Sequence, residues 1–244
     1  MRIGISLEDR VGEVADTVAH AARVFEIVGI DFCDKRDRTV RDAAKTASVD
    51  VAELLQLMDP SAAVVPARAM DNPENAPLDQ VTKHIVTNFH RRARAMLVRM
   101  SLLAGSAASA HPDKKLWPLV DLIAKLTRDL VPHMRREEQY LFPYIDSFQR
   151  EMGPDETIVV PLFGSVEYPM QRIRHDHSED LASLTAIREA TSNFTPPTGA
   201  CDHVRQLFKM LEEFDTDLQQ HIRLENDILF PRAIEAERSA AKRK

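Results

Sequence analysis

Two copies of one short motif carry the residues best suited to binding a metal ion. The copies begin at His133 and His221, and both read H-x-x-x-E-x-x-x-L-F-P. Residues four apart on a helix lie on one face, about 6 Å from each other. Each copy therefore offers an imidazole together with the carboxylate of Glu137 or Glu225. Two such faces brought together would form a metal site.

The ligand types favour iron at such a site. A carboxylate directed into an apolar interior is costly unless a cation neutralises it. Magnesium and calcium prefer oxygen ligands alone, and a structural zinc usually takes four tetrahedral ligands, often with cysteine. One copy alone would be better explained as an exposed contact between a histidine and a glutamate. The identical register of two copies before an identical Leu-Phe-Pro favours the metal site.

Two further segments contribute histidines, and each offers two candidates. On the first segment His84 and His90 both flank the apolar stripe, so periodicity does not decide between them. On the other segment the stripe contains position 177 and faces away from position 175, which favours His177 over His175. That stripe consists of Ile173, Leu181, Leu184 and Ile187.

The elements that position these residues are predicted to be helices. The sequence has seven glycines among 244 residues and few alternating runs of β-branched residues, which favours an all-α fold. Four long amphipathic segments with modest connections are typical of an antiparallel four-helix bundle. The stretch 157–168 fits neither a helix nor a strand and is expected to form an ordered loop. The four helical segments cover about 78–104, 115–148, 170–192 and 200–237.

A small helical module is predicted ahead of the bundle. Apolar residues recur at three- and four-residue steps over 11–28, and Gly29 stands where a helix-capping glycine would. A second short helix follows, and Asp50 with Glu53 resembles the capping pair of a third. Four prolines within Asp59–Pro77 indicate a linker. The predicted division is a three-helix module (1–58), a linker (59–76) and a four-helix bundle (77–238).

Composition excludes several other classes of protein. Hydrophobic residues make up 44% and charged residues 29%, and no apolar stretch reaches the ~18 residues of a membrane span. A formal charge of −6 and a pI near 5.9 argue against a nucleic-acid partner. Cys33 and Cys201 are the two cysteines, which fits a reducing compartment and excludes a thiol-rich metal site. The protein is expected to be cytoplasmic.

Several motifs together resemble a known group of proteins. They are the stretch from Gly29 to Cys33, Phe89-His90, both repeats, and Asn193-Phe-Thr-Pro-Pro197 followed by Cys201. With them the sequence resembles the hemerythrin-like di-iron proteins, and within these the iron–sulfur cluster repair family called repair of iron centres. The resemblance covers nearly the whole chain.

The resemblance implies a pair of non-haem iron ions bridged by two glutamates and by an exogenous oxo or hydroxo group. Each iron would take two histidines. The resemblance selects His90 over His84, and its ungapped spacing to the Thr-Pro-Pro segment also selects His177. The implied metal ligands are His90, His133, Glu137, His177, His221 and Glu225.

The sequence departs from the family in the N-terminal module. The family carries Cys-Cys-Gly-Gly where this chain reads Cys33-Asp34-Lys35-Arg36. Two adjacent thiols could accept iron or form a disulfide, whereas one cysteine beside an aspartate can do neither alone. Transfer of iron through thiols is therefore in doubt for this chain.

The resemblance implies a stress-response role in the repair of iron–sulfur clusters damaged by nitric oxide or oxidants. Its expected partners are small diatomic molecules such as nitric oxide and oxygen, together with damaged iron–sulfur proteins. One alternative is a hemerythrin-like carrier or sensor of oxygen or nitric oxide, which the Cys33-Asp34 departure favours. Another is a di-iron reductase of nitric oxide or peroxide. The ligand set alone does not separate these functions.

Overall fold

The all-α fold predicted from the sequence is confirmed. A computed structural model describes residues 4–18, 20–59, 62, 64–110, 116–148 and 164–241. Within these ranges the regular elements are helices, and the β pairing is one isolated bridge between Arg10 and Thr39. No helix in the described part of the chain combines the length and the apolar character that crossing a membrane requires.

Four short helices form the N-terminal module in the described residues. They are α1 (Val11–Thr17), α2 (Ala21–Val28), α3 (Val40–Thr46) and α4 (Val51–Met58). The sequence predicted one helix over 11–28, but Val18 adopts an extended conformation (φ −102°, ψ 111°) that ends α1. The break lets both short helices turn their apolar faces into one core. The spacing of apolar residues at three- and four-residue steps continues on both sides of the break, so the sequence does not reveal it.

Two predicted helix ends of the module agree with the structure. Gly29 ends α2 in the left-handed conformation (φ 68°), which glycine adopts without strain. A Cβ there would also collide with the guanidinium group of Arg135 from the bundle. At the start of α4, Asp50 accepts a hydrogen bond from the backbone N–H of Glu53 at 3.0 Å.

Four long helices form the bundle, as predicted, and three of them contain a π-helical segment. The segments of each helix are α5 (Leu78–His84, Ile85–His90, Arg91–Ala110), α6 (Trp117–Arg136, Glu137–Leu141, Phe142–Ser147), α7 (Glu167–Ala190) and α8 (Asp202–Arg223, Leu224–Leu229, Phe230–Ala241). Helix α5 packs against α6 and α8, and α6 packs against α7.

The module lies directly against the bundle. Helix α2 contacts α5 and α6, and α4 contacts α5. Buried apolar residues of the module and of one end of the bundle form a continuous core. The limits 1–58, 59–76 and 77–238 stay a prediction. Most of the predicted loop 157–168 lies outside the described residues, and its last two positions already belong to α7.

Candidate metal centre

A layer of buried polar side chains divides the interior of the bundle. One apolar cluster joins the module to one end of the bundle, and a second cluster fills the other end. The six predicted ligands lie in the layer between the clusters, and none is more than 2% exposed. Charged and imidazole groups rarely occupy such a position without partners. The layer consists of His90, His133, Glu137, His177, His221 and Glu225.

The π-helical segments lie at the level of this layer. His90 ends the segment in α5, Glu137 begins the segment in α6, and Glu225 is the second residue of the segment in α8. A π turn widens the helix locally and changes the direction of the side chains that follow, and such turns are frequent at functional sites. Three of the four helices therefore change from α- to π-helical geometry at the level where three of the six side chains turn inward.

The prolines of the Leu-Phe-Pro segments give a physical reason for two of the π turns. A proline inside a helix lacks the N–H group, and its ring clashes with the carbonyl group four residues earlier. For Pro143 and Pro231 those carbonyl groups belong to Gln139 and Asp227, which both lie within π segments. The wider turn accommodates the ring without ending the helix.

The first group of ligand atoms joins α5, α6 and α8. The Nε2 atoms of His90 and His221 lie 3.1 Å apart. Nε2 of His90 is 3.4 Å from Oε2 of Glu137, and Nε2 of His221 is 3.0 Å from Oε1 of Glu225. One ligand atom from each of these four residues lies within 4.8 Å of the others, close enough to share one cation.

The second group uses the other oxygens of the same glutamates. Nε2 of His133 is 3.1 Å from Oε1 of Glu137, and Nε2 of His177 is 3.0 Å from Oε2 of Glu225. These four residues also bring ligand atoms within 4.8 Å of one another. Each glutamate thus directs one carboxylate oxygen to each pair of histidines.

The polar atoms of this layer fit a bound cation. Among the described residues, neither carboxylate oxygen of Glu137 or Glu225 accepts a hydrogen bond of good geometry, nor does either ring nitrogen of His133 or Nε2 of His177 make one. A buried polar atom without a partner costs about 1–3 kcal/mol, and a charged one costs more. The imidazole nitrogens of four histidines and the carboxylate oxygens of two glutamates are suitable ligands for iron.

Electrostatics in the layer also reflect a need for positive charge. Burial disfavours protonation of His133 and His221, but nearby carboxylates outweigh burial and raise the pKa of both, that of His133 well above its usual range. Burial opposes ionisation of Glu225, yet His221 and His177 hold the pKa of this carboxyl well below its usual value. The layer is therefore stabilised by cations, either protons on the rings or metal ions.

Comparison with known proteins agrees with this geometry. Residues 82–233 match the family described as Hemerythrin HHE cation binding domain, and this range contains all six residues of the layer. Residues 7–60 match a second family, described as Domain of Unknown function (DUF542).

Similar proteins are named iron–sulfur cluster repair protein YtfE. The one from Pectobacterium atrosepticum is 32% identical over 94% of this chain and 98% of its own length. The protein from Musicola paradisiaca is 33% identical over the same shares, and that from Edwardsiella ictaluri is 34% identical over 92% and 96%. The chain belongs to the hemerythrin-like iron–sulfur cluster repair family. The resemblance found in the motifs is thereby confirmed.

In this family member each copy of the repeat also supports a histidine on a neighbouring helix. In the first copy the residue after the glutamate is Glu138, and its Oε1 accepts a hydrogen bond from Nδ1 of His90 at 2.7 Å. In the second copy the corresponding residue is Asn226, whose Oδ1 lies 3.1 Å from Nδ1 of His177. These contacts leave Nε2 of both rings directed at the carboxylates.

The phenylalanines of the Leu-Phe-Pro segments pack on the same two histidines. Phe142 stacks on His90 with ring centroids 5.8 Å apart, and Phe230 stacks on His177 at 6.1 Å. The Leu-Phe-Pro segments therefore form apolar walls of the site. Each copy of the motif therefore contributes two predicted ligands, one outer hydrogen-bond partner and one stacking ring.

Sequence reasoning missed the outer partners of the histidines. Besides Glu138 and Asn226, Asp180 of α7 brings Oδ2 to 3.4 Å from Nδ1 of His133. The sequence contained a signal for Glu138 and Asn226, because both repeats carry a polar residue directly after the glutamate. Asp180 belongs to no repeated pattern, and its position three residues after His177 acquires meaning only when α7 is packed against α6.

The structure leaves the competing histidines outside the layer. Nδ1 of His84 contacts Asn88 on its own helix, and the side chain of His175 is 62% exposed with Glu179 at 3.6 Å. His203 is exposed, and His111 lies outside the described residues. The structure therefore brings His90 and His177 to the other four residues, while their role as ligands stays a prediction.

Proposed function

We propose that the polar layer binds two non-haem iron ions bridged by both glutamates. One observation carries this proposal. Each glutamate places one carboxylate oxygen near one pair of histidines and its second oxygen near the other pair. One iron would take His90 and His221, and the other would take His133 and His177. The bridging residues would be Glu137 and Glu225.

The residues of the chain would bind, orient and shield the two ions. Hydrogen bonds at Nδ1 of His90 and His177 favour the tautomer whose Nε2 is free to bind metal. Phe142 and Phe230 cover these rings and limit the access of water. When bound, two adjacent iron ions supply redox chemistry that amino-acid side chains lack.

The proposed activity is repair of iron–sulfur clusters damaged by nitric oxide or oxidants. Three relatives that carry the name of iron–sulfur cluster repair proteins match nearly the whole chain, which supports this activity. The partners would be damaged iron–sulfur proteins, with nitric oxide or oxygen as small ligands. In the described part of the chain neither Cys33 nor Cys201 forms a disulfide, which fits action in a reducing compartment such as the cytoplasm.

The proposed route of iron to a damaged cluster is direct release from the bundle. Cys33 is exposed and could meet a partner, but its neighbour is Asp34, so it lacks an adjacent second thiol. One thiol cannot form a chelating pair for iron. All six proposed ligands, by contrast, lie together in the bundle.

Anaerobic reconstitution of an apo-ferredoxin tests both the activity and the route. The iron-loaded protein is compared with Cys33→Ala and Asp34→Cys at equal iron content. Direct release predicts that the unaltered protein donates iron and that Cys33→Ala changes the rate little. Donation that arises only in Asp34→Cys would show that paired thiols are required. No donation by any of the three, with tight reversible binding of nitric oxide or oxygen, would favour the carrier or sensor.

A further inference from the structure

A buried arginine connects the N-terminal module to the candidate metal centre. Arg94 on α5 is 6% exposed, and its guanidinium group lies between two carboxylates. Nε donates to Oε1 of Glu53 at 2.7 Å, and Nη1 donates to Oε1 of Glu138 at 2.9 Å. Glu53 belongs to α4 of the module, whereas Glu138 belongs to α6 of the bundle.

One oxygen of Glu138 accepts hydrogen bonds from both Arg94 and His90. Oε1 of Glu138 accepts from Nη1 of Arg94 and from Nδ1 of His90, at 2.9 and 2.7 Å. The position of this oxygen therefore depends on the guanidinium group, whose planar fork has few orientations that satisfy two carboxylates at once. Displacement of Glu53 would free one side of the fork and loosen the oxygen that orients His90.

The module also forms one wall of the space beside this chain of contacts. A cavity of about 160 Å³ is lined by residues 47–50 and by Glu53 on the module side, and by Arg94 and Glu138 on the bundle side. The backbone of Glu53 is fixed by the cap of Asp50 at the start of α4. The side chain of Glu138 is already 21% exposed, and movement of the module would expose it further at the point where it meets His90.

We propose that Glu53 and Arg94 are positioning residues through which the N-terminal module controls retention of the iron bound by His90 and His221. This inference rests on the di-iron centre proposed above. The side-chain hydrogen bonds link Arg94 to the proposed ligand His90 through Glu138. The histidines proposed for the second iron have other outer partners, Asn226 for His177 and Asp180 for His133, and both of these residues belong to the bundle. The effect of the module is thus confined to one of the two irons.

The test compares Glu53→Gln with Arg23→Gln in the full-length, iron-loaded protein. Arg23 of α2 donates to Oγ of Ser101 on α5 at 3.1 Å, so the control removes another contact between module and bundle without touching the chain to His90. Loss of iron to an excess of a ferrous chelator is followed together with Mössbauer spectra. Loss of an outer partner of a metal-binding histidine typically costs about 10–100-fold in affinity, so Glu53→Gln should release one iron about tenfold faster.

Two further variants separate positioning from general destabilisation. Arg94→Lys keeps the positive charge but cannot reach both carboxylates with a fork, so it should behave like Glu53→Gln. Glu138→Gln should have a larger effect, and the double variant Glu53→Gln/Glu138→Gln should be no worse than Glu138→Gln alone. Thermal unfolding of the metal-free variants reports any general loss of stability.

The outcomes distinguish this inference from the di-iron proposal. Unaltered protein that never holds two irons would refute both. Two irons in the unaltered protein, with Glu53→Gln releasing iron no faster than Arg23→Gln, or releasing both irons equally, would refute the positioning role alone. Additive effects of Glu53→Gln and Glu138→Gln would likewise show that Glu53 does not act through Glu138.

Discussion

Replacing His177 with leucine should remove most of the stabilisation that one of the two proposed irons gives to the protein, whereas His175→Leu should not. The two residues lie on the same helix two positions apart, so the variants are closely matched. His177 is 2% exposed with Nε2 at 3.0 Å from Oε2 of Glu225. The side chain of His175 is 62% exposed, and its ion-pair contact with Glu179 at 3.6 Å is worth roughly 0–0.5 kcal/mol.

The size of the effect follows from binding linkage. At a free iron concentration 100 times Kd, binding stabilises the folded state by about 2.7 kcal/mol. Loss of a direct ligand should weaken binding by at least the ~100-fold that loss of an outer partner can cost. At the same iron concentration the stabilisation then falls to about 0.4 kcal/mol. For a chain of this size, the part of the rise in Tm that this one iron contributes should fall from about 5–11 °C to about 1–2 °C.

The assay is anaerobic thermal unfolding with and without ferrous iron, with iron content measured in parallel. His177→Leu should show a smaller iron-dependent rise in Tm than the unaltered protein, and His175→Leu should show the full rise. The reverse pattern would show that α7 is rotated relative to its apolar stripe. An equal rise in all three proteins would mean that neither histidine is a ligand.

Three other perturbations test separate parts of the account. Replacing Glu137 or Glu225 with alanine should remove both irons together, because each carboxylate serves both histidine pairs; iron analysis that still finds two irons would exclude that residue as a bridge. Affinity for iron should fall as pH is lowered, because the raised pKa of His133 and His221 keeps protons on rings that must be neutral to bind metal. Competition titrations against a chelator at one pH below neutral and one above should give different affinities for iron, and equal affinities would contradict this prediction. A truncated chain that starts at Asp71 should fold and bind two irons, with faster loss of one, and an unfolded or iron-free product would refute the predicted domain division.

The sequence predicted some ligands directly and others only through resemblance, and helix geometry explains the difference. Helix α7 has regular α-helical geometry over Glu167–Ala190, so its apolar stripe singled out His177. In α5 the π segment Ile85–His90 changes the helical phase between the two candidates. A period of 3.6 residues therefore could not decide between His84 and His90.

The remaining differences depend on contacts that are distant in the sequence. The break at Val18 was missed because the apolar pattern continues across it, and the turn is selected by packing within the module. The role of Arg94 depends on Glu53 and Glu138, which come from different helices. Local patterns predicted the four-helix bundle and the histidine–glutamate pairs of both repeats. The contacts around the histidines could be seen only in the tertiary structure.

Metal analysis with Mössbauer spectroscopy tests the central claim most directly. The protein should be purified without chelators after growth with added iron. We expect two irons per chain, and if both carboxylates bridge them as proposed, the two irons should be magnetically coupled after oxidation. One iron per chain, two uncoupled irons, or stoichiometric zinc that iron cannot replace would contradict the di-iron centre.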